Sequence, residues 1–151
     1  MPSPRTDASG RFSVRLSGGL SSRTLRFAYR AHVGDASAVA TRSLRLSVHA
    51  GIALSVSPHE AHVGSTISFR GRLRGGSVPA TGKQLVLEAR SPGSPWIEFK
   101  VVRTNARGRF RASYRFKFAG PADYVFRARS EPEADYPFAA GASGVVAVHE
   151  R

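Results

Sequence analysis

Apolar residues in this chain recur at every second position in segment after segment, the spacing that puts one side of a β-strand inward and the other outward. From residue 50 onward the alternating segments are Ile52-Leu54-Val56, Ile67-Phe69-Gly71-Leu73, Leu85-Leu87-Ala89 and Ile97-Phe99-Val101. Phe110-Ala112-Tyr114-Phe116-Phe118, Tyr124-Phe126-Ala128 and Val146-Val148 complete a set of seven. Ahead of them come Phe12-Val14-Leu16, Leu25-Phe27-Tyr29-Ala31 and Leu44-Leu46-Val48. Turn formers separate the segments: Gly75-Gly76, Ser91-Pro92-Gly93-Ser94-Pro95, Ala106-Arg107-Gly108 and Gly120-Pro121. No window of a dozen residues carries a helical apolar stripe free of Gly and Pro. The expectation is an all-β chain, an antiparallel two-sheet sandwich, with a barrel as the alternative.

A long-period repeat divides the chain. Thr6-Asp7-Ala8-Ser9-Gly10-Arg11-Phe12 returns 98 positions later as Thr104-Asn105-Ala106-Arg107-Gly108-Arg109-Phe110. Downstream, Phe27 to Ala31 matches Tyr124 to Ala128, and Val48-His49 matches Val148-His149. A period near 100 residues is the size of one β-sandwich module. Residues 1–49 therefore read as the C-terminal half of one module and residues 50–151 as a complete one. The half-module's apolar faces need cover from the second module or from another chain.

Gly120-Pro121-Ala122-Asp123-Tyr124-Val125-Phe126-Arg127-Ala128 resembles the tyrosine-corner strand of immunoglobulin-like domains, with Phe126 where an antibody domain has cysteine. Gly71-Arg72-Leu73, Pro79 to Leu87 and Thr104 to Phe110 resemble the framework of bacterial Ig-like and carboxypeptidase-regulatory-like (transthyretin-like) modules. The resemblance implies an Ig-like sandwich in a repeat protein at the cell surface or outside the cell. It implies neither catalysis nor a cofactor. Met1 to Arg5 has no apolar stretch of the kind a secretory signal needs, so that location requires a signal elsewhere in a longer polypeptide.

The absence of cysteine excludes disulfides, thiolate metal sites and a cysteine nucleophile. No apolar run approaches the roughly 20 residues of a membrane-spanning helix. Catalysis needs a nucleophile with its base, or paired carboxylates in a pocket, and neither pattern is present. His59-Glu60-Ala61-His62 lacks the helical spacing of a metalloprotease motif and follows Pro58 in a turn. Glu131, Glu133 and Asp135 lack the Gly-punctuated pattern of a calcium loop and read as partners for nearby arginines.

Charge is the sharpest signal: 23 Lys and Arg against 10 Asp and Glu, net +13. Arginine-rich usage also arises from a GC-rich coding sequence, so its placement matters more than its amount. Alternation puts Arg70, Arg72 and Arg74 on one outward face, and Arg109, Arg111, Arg115 and Lys117 on another. In an Ig-like strand order these two ladders lie side by side, and like charges directly opposite repel. An anionic polymer such as an acidic cell-wall glycan relieves that repulsion. Specific nucleic-acid recognition is not expected, because no recognition helix and no outward aromatic residues accompany the arginines. The expected role is a spacer or adhesion module with neighbouring repeats and an anionic glycan as partners. The alternative is an accessory carbohydrate-binding module of a larger hydrolase, with Trp96 and Tyr136 as the rings that stack on sugar.

Overall fold

The computed structural model describes residues 4–76, 78–117 and 122–151. Among them there is no helix, and the chain is all-β. The strands are β1 (Arg23–Tyr29), β2 (Ala40–Leu46), β3 (Gly51–Ser57), β4 (Glu60–Ala61), β5 (Thr66–Arg74) and β6 (Gln84–Arg90). β7 (Ile97–Arg103), β8 (Arg109–Arg115), β9 (Ala122–Ser130), β10 (Gly141–Ala142) and β11 (Val146–Glu150) follow. β1 and β2 form an antiparallel hairpin. One sheet runs β3-β5-β8; the other runs β4-β11-β9-β6-β7, with β10 added on β9. All ladders are antiparallel except β4–β11.

The two larger sheets share one core. Ile52, Val56, Ile67, Phe69, Leu73 and Phe110 from the three-stranded sheet pack with Leu85, Leu87, Val102, Phe126, Ala128 and Val148 from the six-stranded one. Aromatic rings join them: Phe69 meets Phe126 edge-on at 5.0 Å, and Phe99 lies 5.4 to 5.7 Å from Tyr114, Phe69 and Phe126. Such pairs add about 0.5–1.5 kcal/mol each beyond their buried area. The strand expectations for β3, β5, β6, β8, β9 and β11 match these elements. Phe118 and the Gly120-Pro121 turn lie outside the described residues.

Expectations in two regions, the early segments and β7, need correction. Phe12 to Leu16 is not a strand, because nothing offers it a ladder, whereas β8 after the matching turn pairs with β5. Phe12 instead stacks on Phe27 at 5.5 Å and stays 48% exposed. The third early segment ends as a strand at Leu46, and Val48 leaves it to pack at the edge of the core. There Ala139 N–H donates to the Val48 carbonyl, and Ala50 N–H donates to the Ala139 carbonyl.

The second correction concerns β7. Alternation placed Ile97, Phe99 and Val101 inward, but Ile97 is 60% and Val101 57% exposed, while Val102 is buried. Leu87 pairs with Lys100 and Glu88 with Glu98, so Phe99 is the extra residue of a β-bulge and the inward phase changes there.

The Asp7 and Asn105 turns share one local geometry. Asp7 Oδ1 accepts from the N–H groups of Ser9 and Arg11, and Asn105 Oδ1 from those of Arg107 and Arg109. Gly10 and Gly108 take φ of 74° and 73°, a conformation that costs glycine little. Gly71 answers a different need: it sits opposite Phe110, whose ring occupies the space a Cβ would fill. Gly71→Val should lower unfolding stability by about 1–3 kcal/mol or more through overpacking. Urea unfolding followed by Trp96 fluorescence measures this, and an unchanged midpoint would contradict the packing described.

Candidate functional site: an arginine face

The register of β5 decides where the cations go. Phe69 is opposite Ala112 and Gly71 opposite Phe110, all on the core side, so the residues between them point outward. Arg70 is then directly opposite Arg111, and Arg72 opposite Arg109. On the other flank β3 offers only small residues: Ser55 opposite Arg70, Ala53 opposite Arg72 and Gly51 opposite Arg74. Thr66 faces Arg115, whose Nε donates to the Gly64 carbonyl at 3.0 Å. Rows repeat about every 6.7 Å along the strands, with strands about 4.8 Å apart. Lys117 lies beyond the end of β8, exposed and off this grid.

Arg70, Arg72, Arg74, Arg109, Arg111 and Arg115 are all exposed, and no carboxylate among the described residues lies within ion-pair distance of any of them. β3, β5 and β8 contain those six arginines and no Asp or Glu. The six-stranded sheet sets Glu60, Glu88, Glu98, Asp123 and Glu150 against Arg90, Lys100, Arg103, Arg127 and Arg129. One sheet is neutral and the other carries all of the pair's excess charge.

The cations of the six-stranded sheet are engaged. Arg127 and Arg129 hold Glu88 through Nε contacts of 2.6 and 2.8 Å, and Arg129 also reaches Glu98 at 2.5 Å and pairs with Glu131. Burial alone would raise the Glu88 pKa, but hydrogen bonds and charge from Arg127 and Arg129 outweigh it and hold the carboxyl below its ordinary value. Lys83, fully buried, pairs with Glu133 at 2.6 Å and donates to the Glu131 carbonyl at 2.5 Å. Thus Glu131 and Glu133 serve neighbouring cations. Three histidines contact backbone carbonyls: His59 that of Ala147, His62 that of Arg151 and His49 that of Ala140. His149 contacts the Asp123 carboxylate instead.

Of the two rings expected to stack on sugar, Tyr136 is not free to do so. Tyr136 is 2% exposed and packs on Phe138 at 4.9 Å; its burial pushes the phenol pKa up, and it has no face for a ligand. Proline on either side of the acidic segment suggested a loop, but did not reveal that the tyrosine plugs the core. Trp96 is half-buried, with the guanidinium groups of Arg127 and Arg90 at 4.1 and 4.7 Å from its ring centre. A sugar stacking there would compete with these cation–π contacts.

Two concavities among the described residues bear on ligand binding. A cleft of about 200 Å³ at one end of the core is lined by Phe99, Tyr114, Phe116, Tyr124 and Phe126, small against the roughly 300–1,000 Å³ of ordinary ligand pockets. The other is an open hollow of about 490 Å³ on the arginine face, between Ser68, Arg70, Arg111 and Ser113, with Lys100 at its rim. Lys100 is the residue that sequence reasoning missed, because the bulge at Phe99 is what turns it to the side of Leu87. From there its Nζ donates to the Ser113 carbonyl of β8 at 3.0 Å.

No protein-family model matches the chain, and no curated protein does. The Glu88 cluster gives a pH dependence with a definite sign. A carboxyl with a lowered folded pKa adds stability above its unfolded pKa of about 4.3, and that contribution disappears as pH falls through the folded value. Urea midpoints should therefore drop between pH 6 and pH 3. Glu88→Gln should be less stable at pH 6 and lose less over the same interval. Equal acid sensitivity in the two proteins would show that Glu88 is not held as described.

Proposed function

We infer that this chain is a non-enzymatic Ig-like spacer or adhesion module from a bacterial surface or exported repeat protein, and that its arginine face attaches to an anionic cell-wall glycan. The observation that carries the attachment is the segregation of charge. Compositional bias from a GC-rich coding sequence would set arginine among carboxylates on both sheets alike, whereas the carboxylates of the two sheets are confined to one and the three strands of the other carry six arginines with none. Arg70 against Arg111 and Arg72 against Arg109 cost a few tenths to about 1 kcal/mol each in repulsion. A polyanion along the rows turns that cost into favourable contacts and releases its own counterions.

The Ig-like reading is supported by strand order: β5 and β8 share one sheet while β6, β9 and β11 share the other, the division found between strands B, E and C, F, G of such domains. Tyr124, two positions before the buried Phe126, packs on it and on Phe116, in keeping with the tyrosine-corner strand. The repeat reading is supported by the two matching Asx turns. In such an array residues 1–49 are the C-terminal half of a preceding module. The neighbouring half then covers the apolar side of the hairpin, where Tyr29 is 50% and Leu44 56% exposed.

Retention on an anionic glycan matrix across a salt series tests the attachment. The wild-type chain should bind at low salt and elute as salt rises. Replacing Arg109, Arg111 and Arg115 with Ser should reduce the slope of log affinity against log salt by roughly two to three. The control removes the same charge from the hairpin, as Arg26→Ser, Arg42→Ser and Arg45→Ser, and should change elution far less. Equal shifts in both triple variants would return the binding to net charge alone.

A further inference from the structure

Resting on the reading of the arginine face as a polyanion surface, we propose that the hollow between β5, β8 and β7 is a subsite for one tetrahedral oxyanion, a sulfate or phosphate ester carried by the bound glycan. The face as a whole offers rows of cations, and any polyanion satisfies rows. The hollow differs from the rows in three respects.

Cations from both sheets converge on it. Arg70 and Arg111 come from adjacent strands in direct opposition, and Lys100 arrives from β7 of the other sheet. β7 and β8 share no backbone ladder, so Lys100 bridges a seam of the molecule. One of its three donors is fixed on the Ser113 carbonyl, which holds the ammonium at the rim and leaves the other donors for a ligand.

Hydroxyl donors accompany the cations. Ser68 pairs directly with Ser113 one row from Arg70 and Arg111, and both line the hollow. In the row of Arg72 and Arg109, by contrast, the β3 position is Ala53, which offers no hydroxyl.

The donor count exceeds what a carboxylate can use. Two guanidinium forks, an ammonium and two hydroxyls face one concavity, while a carboxylate has two oxygens to offer. A sulfate or phosphate ester presents three free oxygens on a tetrahedron and can meet both forks and the rim at once. Repulsion between Arg70 and Arg111 is also neutralised best by the more highly charged ion, which favours phosphate monoesters over sulfate when both are present.

Amide chemical shifts of the full chain provide the test, titrated with inorganic phosphate, inorganic sulfate or acetate at constant ionic strength set by chloride. Phosphate and sulfate should give saturable shifts centred on Ser68, Arg70, Arg111 and Ser113; acetate at equal concentration should not. Lys100→Met, an exposed change, should weaken oxyanion binding about tenfold, the loss expected for one charge-assisted hydrogen bond. The same variant should keep most of its retention on the anionic matrix, because the remaining rows are intact. A wild-type chain that is retained on the matrix but responds alike to acetate and phosphate would overturn the subsite and leave the face standing. Shifts spread evenly over Arg72, Arg74 and Arg109 would do the same. A chain that is not retained at all would overturn the face itself. Tighter binding of methyl phosphate than of methyl sulfate in the same titration would assign the ester as phosphate, and the reverse order as sulfate.

Discussion

The ladder between β5 and β8 fixes both the core and the charged surface. Because side chains alternate along a strand, setting Phe69 beside Ala112 and Gly71 beside Phe110 on the inside forces Arg70 onto Arg111 and Arg72 onto Arg109 on the outside. A slip of one residue would bury the arginines and expose the aromatic cluster that joins the two sheets. Burying even one unpaired guanidinium is far costlier than the repulsion it would relieve. The repulsive rows are therefore held in place by the hydrophobic core behind them. They persist because the register has no affordable alternative.

Charge elsewhere is handled differently. On the six-stranded sheet Glu88 draws Arg127 and Arg129 together, Glu98 and Glu131 share Arg129, and Trp96 lies against Arg127 and Arg90. Lys83 is fully buried and compensated by Glu133 and a carbonyl. Every one of those cations has a partner within the fold. The contrast between a sheet that spends its carboxylates on its own arginines and one that has none is the ground for proposing that the β3-β5-β8 face meets an external anion.

Much of this was legible in the sequence because period-2 alternation is a local signal. Strands β5 and β8 and their outward arginines follow from counting alone, and the Asp7 and Asn105 turns follow from a polar residue three positions before a glycine. What stayed hidden depends on tertiary partners. The bulge at Phe99 has no turn residue to announce it; it arises from how β7 meets β6, and it moves Lys100 to the seam. Tyr136 sits in a Pro-flanked acidic stretch that reads as solvated, yet the buried Lys83–Glu133 pair anchors that stretch and the ring beside it fills the core. Phe12 to Leu16 alternates like a strand but lacks a ladder, so periodicity alone could not make it one.

The central claim is that anion binding belongs to one face and not to the chain's net charge. The most direct measurement is arginine-selective chemical modification read by peptide mass spectrometry, with and without a saturating anionic glycan. Binding at the face should protect Arg70, Arg72, Arg109 and Arg111 strongly and leave Arg90 and Arg103 modified to the same extent in both samples. Uniform protection across both sheets, or protection confined to the arginines of β1 and β2, would contradict the account.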